Sequence, residues 1–150
     1  MRVRLLLDET MREEVLTALR ELGIEQRLRI RVRGFSMAPD LPDGATVEVS
    51  PRRIYLPGDV IAFVAPKGEL RVHRVLGYKW HSPHCCLITK GDNASWIDPP
   101  VALDQVLGLV RGGDCARSIY HVSISRRFSG VGFLLRKLGT WCRDPWAKTS

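Results

Sequence analysis

Long apolar runs, paired cysteine motifs and an excess of acidic residues are all missing from this sequence. No stretch approaches the roughly 20 apolar residues of a membrane-spanning helix, so we expect no transmembrane segment. Acidic residues interrupt the short apolar run at residues 1–7 at once, which argues against a secretory signal peptide. The four cysteines have neither C-x-x-C spacing nor the density of a disulfide framework. These absences favour a soluble protein of the reducing cytoplasm.

Basic residues outnumber acidic ones by 23 to 16, which gives a formal net charge of +7. A surplus of this size favours polyanions or an anionic membrane surface as partners. Much of it lies towards the two ends of the chain, so it need not describe the central part. With 45% hydrophobic and 26% charged residues, the 150-residue chain is typical of a globular domain with one sizeable core.

The sequence divides into an N-terminal helical segment (1–26), a central β domain (27–125) and a basic amphipathic C-terminal tail (126–150). Apolar residues recur at helical spacing over Asp8–Leu22, which predicts a short helix there. The tail mixes arginines with apolar residues. It is expected either to pack on the domain or to make peripheral contact with an anionic membrane, and both alternatives stay open.

In the central part, apolar residues no longer recur at helical spacing but at every second position. Leu28–Val32 alternates apolar residues with Arg27, Arg29, Arg31 and Arg33, which predicts a half-buried strand with a basic, solvated outer face. Because aromatic residues are not interleaved with these arginines, we expect no specific nucleic-acid site there. Further strands are predicted at Ala45–Val49, Val60–Ala65, Leu70–Gly77, Cys85–Lys90, Val106–Arg111 and Ile119–Ile124.

Short strands at this density, without alternating helices, predict a mainly β fold: an antiparallel sheet curled into a barrel or sandwich. The segment Tyr78–His84 is predicted to be a loop. It leads into the run His81-Ser82-Pro83-His84-Cys85-Cys86, which holds four metal-binding side chains. Structural zinc sites collect ligands from two separated pairs, so we expect no metal here.

The stretch from Arg33 to Pro39 contains a serine, Ser36, between bulky apolar side chains, with a proline that stops helix formation. Such a segment ends a strand and turns the serine outward with amides nearby. This geometry suits an activated serine and its oxyanion site, although a plain turn has the same composition.

His73 lies on a predicted strand, on the opposite face from Val72 and Arg74. A general base must be neutral and within hydrogen-bond reach of the serine, and sequence separation does not decide that. A third group would accept from the other ring nitrogen, and Asp92 and Asp98 are the candidates. Asp92 lies in Gly91-Asp92-Asn93, which is also good turn chemistry.

Taken in order, these motifs resemble the superfamily of signal peptidase I and the LexA-like self-cleaving peptidases. The resemblance covers roughly Leu28 to Arg111. The matching segments are Gly34-x-Ser36-Met37-x-Pro39, Asp43-Gly44, Gly58-Asp59-Val60-Ile61-x-Phe63, Val72-His73-Arg74-Val75, Thr89-Lys90-Gly91-Asp92-Asn93, Asp98, Pro100-Val101 and Val106-x-Gly108-x-Val110. The histidine is similar to that of the endoplasmic-reticulum, archaeal and sporulation-type signal peptidases, whereas bacterial signal peptidase I and LexA use a lysine.

The resemblance implies a serine endopeptidase without a cofactor, acting on an extended peptide or protein substrate. Ser36 would be the nucleophile, His73 the general base and Asp98 its supporting carboxylate, while Gly91, Asp92 and Asn93 form a structural turn. The serine found two residues before the nucleophile in signal peptidases is Gly34 here. The oxyanion site would therefore rely on backbone amides, those of Phe35 and Ser36.

The resemblance is incomplete, because neither the membrane anchor of signal peptidases nor the DNA-binding domain of LexA is expected from this sequence. The alternative function is a catalytically silent module of the same fold. It would bind a peptide, a membrane surface or nucleic acid through the groove and the basic face.

Overall fold

One antiparallel sheet organises the part of the chain that the structure describes. The computed structural model describes residues 17, 18, 21, 27–66, 68–81, 84–125, 127 and 128. The strands are β1 (Leu28–Arg31), β2 (Thr46–Ser50), β3 (Val60–Val64), β4 (Leu70–His81), β5 (His84–Lys90), β6 (Val101–Ala102) and β7 (Val106–Gly113). A 3-10 helix (Leu103–Gln105) and a short helix α1 (Arg117–Tyr120) accompany them.

The seven strands are hydrogen-bonded in the order β1-β2-β7-β3-β4-β5-β6, and every pairing is antiparallel. The sheet is curled into a half-barrel with little helix, so the mainly β expectation is confirmed. Register shifts interrupt the β2–β7, β3–β7 and β4–β5 pairs. Such irregularities increase local twist and allow a sheet to curl.

The central strand β3 has a core on both of its faces. Val60, Ala62 and Val64 pack in one hydrophobic cluster, whereas Ile61 and Phe63 pack in a second. All five residues of β3 are buried, because its apolar run has no polar alternation. The first cluster also holds Met37 and Leu41, which follow Ser36 in the chain. The turn that carries the serine is thereby anchored to the core.

Two predictions of secondary structure were wrong. The predicted loop Tyr78–His84 is mostly strand, because β4 runs to His81 and pairs with β5 as far as His81 opposite His84. The predicted strand Ile119–Ile124 begins inside α1, where the fully buried Ile119 packs in the first cluster. A single buried residue, Ile119, fills its place in the first cluster, so this segment does not need the alternating buried residues of a strand. The two-residue strand β6 was missed, since it is too short to show a period.

Parts of the predicted domain organisation lie outside the described residues. In the predicted helix Asp8–Leu22, only Thr17, Ala18 and Glu21 are described, and all three are helical. In the tail 126–150, only Arg127 and Phe128 are described, and Arg127 donates to the carbonyl of Pro57 at 3.0 Å and to Asp59 at 2.9 Å. The packing of the other tail residues and the membrane contact stay predictions. No helix among the described residues has the length and apolar content to cross a membrane.

Gly108 in β7 lies where the neighbouring backbone leaves no room for a side chain. A Cβ there would collide with the backbone of Ser50 and lie 2.9 Å from the nitrogen of Pro51. We expect Gly108→Ala to lower the free energy of unfolding by roughly 1–3 kcal/mol, as overpacking against rigid backbone does. Urea unfolding measures this.

The matched control is Gly112→Ala in the same strand, where the nearest atom to an added Cβ is a side-chain oxygen of Glu48 at 3.6 Å. Its unfolding free energy should change by no more than about 0.5 kcal/mol. Equal losses in the two variants would contradict the close crossing of β7 and the segment after β2.

Candidate active site

Hydrogen bonds of the backbone fix the turn that leads from the end of β1 to Ser36. Val32 continues the strand by donating its N–H to the carbonyl of Ala45 at 2.9 Å. Gly34 then adopts a φ of +108°, a conformation that L side chains rarely adopt, and its N–H donates to Asp43 Oδ1 at 2.7 Å. The chain therefore changes direction two residues before Ser36. The motif needs a glycine at this position because the turn requires a positive φ.

The loop after β5 holds the serine from the opposite side. The N–H of Asn93 donates to the carbonyl of Ser36 at 2.7 Å, and its side-chain amide donates to the carbonyl of Phe35 at 3.1 Å. Gly91 makes this approach possible, because an added Cβ would lie 2.6 Å from Ser36 O and 3.1 Å from His73 Nε2. Gly91 and Asn93 thus hold the loop after β5 against the turn that carries Ser36.

His73 lies in β4 opposite Ile61, on the sheet face away from Val72. It is only 6% exposed, and the edge of the Phe63 ring packs against it with ring centroids 6.1 Å apart. Its Nε2 is 2.9 Å from Ser36 Oγ, and its Nδ1 is 2.6 Å from Asp98 Oδ2. The imidazole therefore bridges the serine hydroxyl and a carboxylate in one hydrogen-bonded line.

Asp98 is 3% exposed, and both of its carboxylate oxygens are hydrogen-bonded. Thr89 donates its hydroxyl to Oδ2 at 2.9 Å, and Arg71 donates from Nη1 to Oδ1 at 3.1 Å. The backbone N–H of Asp98 donates to the carbonyl of Thr89 at 2.9 Å, which fixes the loop beside β5. A buried carboxylate needs such partners, since an unpaired buried charge is costly.

This set of partners determines the tautomer of His73. An ionised carboxylate can only accept, so Nδ1 must carry the hydrogen that it donates to Asp98. In the neutral ring Nε2 is then an acceptor, and the hydroxyl of Ser36 donates to it. The arrangement can remove a proton from the serine oxygen and stabilise the resulting imidazolium.

Asp92, the other candidate carboxylate, has a different partner. Its two oxygens accept from Arg74 Nε at 2.8 Å and Nη2 at 2.6 Å. Arg74 is 7% exposed and also donates to the carbonyl of Gly58 at 2.7 Å. Sequence reasoning treated Asp92 as a turn residue bonded to nearby backbone. It missed this ion pair because Arg74 lies 18 positions away in the chain.

The candidate oxyanion amides differ from one another in the structure. The N–H of Gly34 is engaged by Asp43, so it is not available to a ligand. Within the described part of the chain, the N–H groups of Phe35 and Ser36 donate to no acceptor. Two amides beside the serine hydroxyl therefore remain open to a bound oxygen atom.

A cleft of about 330 Å³ opens beside Ser36 and His73. One wall is the segment Ile30–Met37, and the other includes Glu69–His73 with Ala94 and Trp96. Phe35 and Trp96 are 70% and 67% exposed at this cleft. The serine hydroxyl is thus reachable from solvent through an open groove.

Two of the cysteines are poor candidates for a nucleophile. Burial raises the pKa of the Cys86 and Cys115 thiols, which disfavours the reactive thiolate. Of the segment His81–Cys86, the described residues His81, His84, Cys85 and Cys86 belong to the paired strands β4 and β5. The expectation that this segment holds no metal stays a prediction.

The chain was compared with protein-family models and with curated proteins, and neither comparison finds a match. The resemblance to signal peptidases stays a prediction drawn from the motifs. What the site does must therefore be argued from its geometry.

The Arg74–Asp92 pair should contribute to stability. Asp92→Asn leaves the guanidinium of Arg74 buried without its counter-charge, so we expect a loss of roughly 2–3 kcal/mol in the free energy of unfolding. This is less than the roughly 3–5 kcal/mol lost when a fully buried pair is broken, because the side chain of Asp92 is 28% exposed. Urea unfolding with an unchanged m-value measures it.

Glu48→Gln is the control, because it removes the carboxylate that pairs with Arg27, whose side chain is 63% exposed. Exposed pairs contribute about 0–1 kcal/mol, so this variant should unfold close to wild type. An Asp92→Asn variant as stable as Glu48→Gln would show that Arg74 does not depend on Asp92.

Proposed function

We propose that this chain is a serine endopeptidase of the signal-peptidase type that uses a histidine base. The observation that carries the proposal is the continuous contact from Ser36 Oγ to His73 Nε2 at 2.9 Å and from Nδ1 to Asp98 at 2.6 Å. A nucleophile, a base in hydrogen-bond reach and a group that orients the base are the parts that acyl transfer requires.

In the proposed acylation, Ser36 Oγ attacks the carbonyl carbon of a peptide bond while its proton passes to His73 Nε2. Negative charge develops on the former carbonyl oxygen, towards the amides of Phe35 and Ser36. When the C–N bond breaks, the imidazolium gives its proton to the leaving amine. Asp98 stabilises the charged imidazolium and holds the ring in orientation throughout.

In deacylation a water molecule takes the place of the departed amine. His73 Nε2 accepts a proton from the water as its oxygen attacks the ester carbon, and the acid product leaves as Ser36 recovers the proton. All proton transfers pass through one nitrogen atom, so the ring must not rotate during the cycle. The contacts of Asp98 with Thr89 and Arg71 support that rigidity.

The surroundings of His73 favour histidine chemistry over the lysine chemistry of bacterial signal peptidase I and LexA. His73 occupies the position in β4 from which its ring reaches both Ser36 and a buried carboxylate. A lysine base has to be neutral, which burial away from carboxylates promotes. The nearby Asp98 would instead favour a charged ammonium group, so this pocket suits an imidazole.

The proposal predicts that Ser36 alone among the serines reacts rapidly with a fluorophosphonate probe. Ser36→Ala should abolish labelling, and His73→Ala should lower the labelling rate by roughly 10³-fold or more, because the base is lost. Intact-mass and peptide mass spectrometry locate the adduct. Circular dichroism checks that each variant stays folded.

Ser118→Ala is the matched control, because Ser118 donates its hydroxyl to the carboxylate of Asp40 at 2.5 Å. It should label at the wild-type rate. A folded wild-type protein that does not label at Ser36 would contradict the proposal and favour the silent binding module.

A further inference from the structure

The charges along the cleft are not balanced. Its charged lining residues are Arg31, Arg33, Glu69 and Arg71. Glu69 accepts from Arg71 Nη2 at 2.8 Å, and the same guanidinium binds Asp98, so these groups satisfy one another. Among the described residues, neither Arg31 nor Arg33 forms an ion pair, and Arg31 donates its Nε only to the carbonyl of Gly44. The wall formed by the end of β1 is therefore positively charged.

The two arginines are spaced like alternate residues of an extended peptide. Arg31 and Arg33 are exposed, whereas Val32 between them is partly buried and continues the pairing of β1 by donating its N–H to Ala45. Alternate residues of a strand lie about 6.6 Å apart, since each residue advances about 3.3 Å. β1 is the terminal strand of the sheet in the described part of the chain and pairs there with β2 alone. In an extended peptide bound along the other edge of β1, alternate side chains are also about 6.6 Å apart.

Apolar side chains line much of the cleft. They are those of Ile30, Val32, Met37, Leu41, Leu70 and Val72. An extended peptide beside β1 directs one set of alternate side chains to this apolar lining and the other set to the arginines. The cleft therefore presents apolar and cationic positions in alternation.

We propose that the cleft binds extended peptides in which apolar residues alternate with acidic ones, with the acidic side chains against Arg31 and Arg33. The cleavage of such peptides rests on the proposed peptidase function, whereas their binding does not. The preference is a property of substrate selection, separate from the chemistry at Ser36.

A single-stranded nucleic acid is the competing occupant, because Phe35 and Trp96 are exposed at the cleft and aromatic rings stack on bases. The peptide is favoured for two reasons. The apolar lining of the cleft offers no partners to a phosphate backbone, and two uncompensated arginines are few for a ligand whose affinity depends on many phosphate contacts.

The test measures binding to the Ser36→Ala protein, which cannot turn the probe over. Two fluorescent octapeptides are compared by anisotropy: one alternates alanine or valine with glutamate, and its twin carries glutamine at the same positions. Exposed ion pairs contribute about 0.5 kcal/mol each, so two of them should make the glutamate peptide bind about fivefold more tightly at low salt. Added salt should reduce this ratio towards one.

Replacing both arginines by glutamine, as Arg31→Gln with Arg33→Gln, should remove the preference and leave the affinity for the glutamine peptide unchanged. Arg53→Gln is the control, because Arg53 is exposed in the β2–β3 connection and does not line the cleft. That variant should keep the fivefold ratio. Equal binding of the two peptides, or binding of neither, overturns the inference, and so does tighter binding of an oligothymidylate that the same arginine substitutions abolish.

The two proposals fail in different ways. Fluorophosphonate labelling at Ser36 without a preference for the glutamate peptide overturns the inference and leaves the peptidase standing. A glutamate preference in a protein that does not label overturns the peptidase and leaves the cleft as an acidic-peptide site.

Discussion

The hydrogen bond between His73 and Asp98 is the contact on which the rest of the site depends. At 2.6 Å it joins a strand of the sheet to a loop beyond the next strand, and it lies almost entirely out of solvent. A carboxylate in such a place is tolerated only when its oxygens are satisfied. Thr89 and Arg71 complete that requirement, so the position of the imidazole follows from how Asp98 is held.

The serine reaches this pair because two loops approach more closely than side chains would allow. Gly91 lies against the backbone of Ser36 and the ring of His73, and Asn93 donates to the carbonyl groups on both sides of that contact. The Arg74–Asp92 pair supports the same loop from the sheet. The turn motif after β5 is thus the joint between the serine-bearing turn and the histidine-bearing strand.

The alternation of residues along the sequence predicted where strands lie and which face of a strand a side chain occupies. The alternation of arginines with apolar residues located β1, and period two correctly separated His73 from its neighbours in β4. Motif order brought Ser36, His73 and Asp98 together as candidates, and the structure places them in contact. Their catalytic roles stay predictions, since contact alone does not demonstrate turnover.

What the sequence did not reveal depends on pairing across the sheet. The extension of β4 through Tyr78 is stabilised by β5, and the Arg74–Asp92 pair depends on the same strand register. The donation of Arg71 to Asp98 likewise joins residues 27 positions apart. Composition shows neither the register of two strands nor the partner of a buried charge. The contact of Thr89 with Asp98 is different, because Thr89 belongs to the motif that precedes Asp98 and could have been named as a candidate partner.

The tautomer of His73 tests the central claim most directly, and side-chain ¹⁵N chemical shifts measure it. For the neutral ring, the contacts predict a hydrogen on Nδ1 and an unprotonated Nε2 facing Ser36. Asp98→Asn should disturb that preference, because the carboxylate that demands the Nδ1 hydrogen is gone. A neutral ring that carries its hydrogen on Nε2 in the wild-type protein would contradict the account, since that nitrogen could not then accept the proton of the serine.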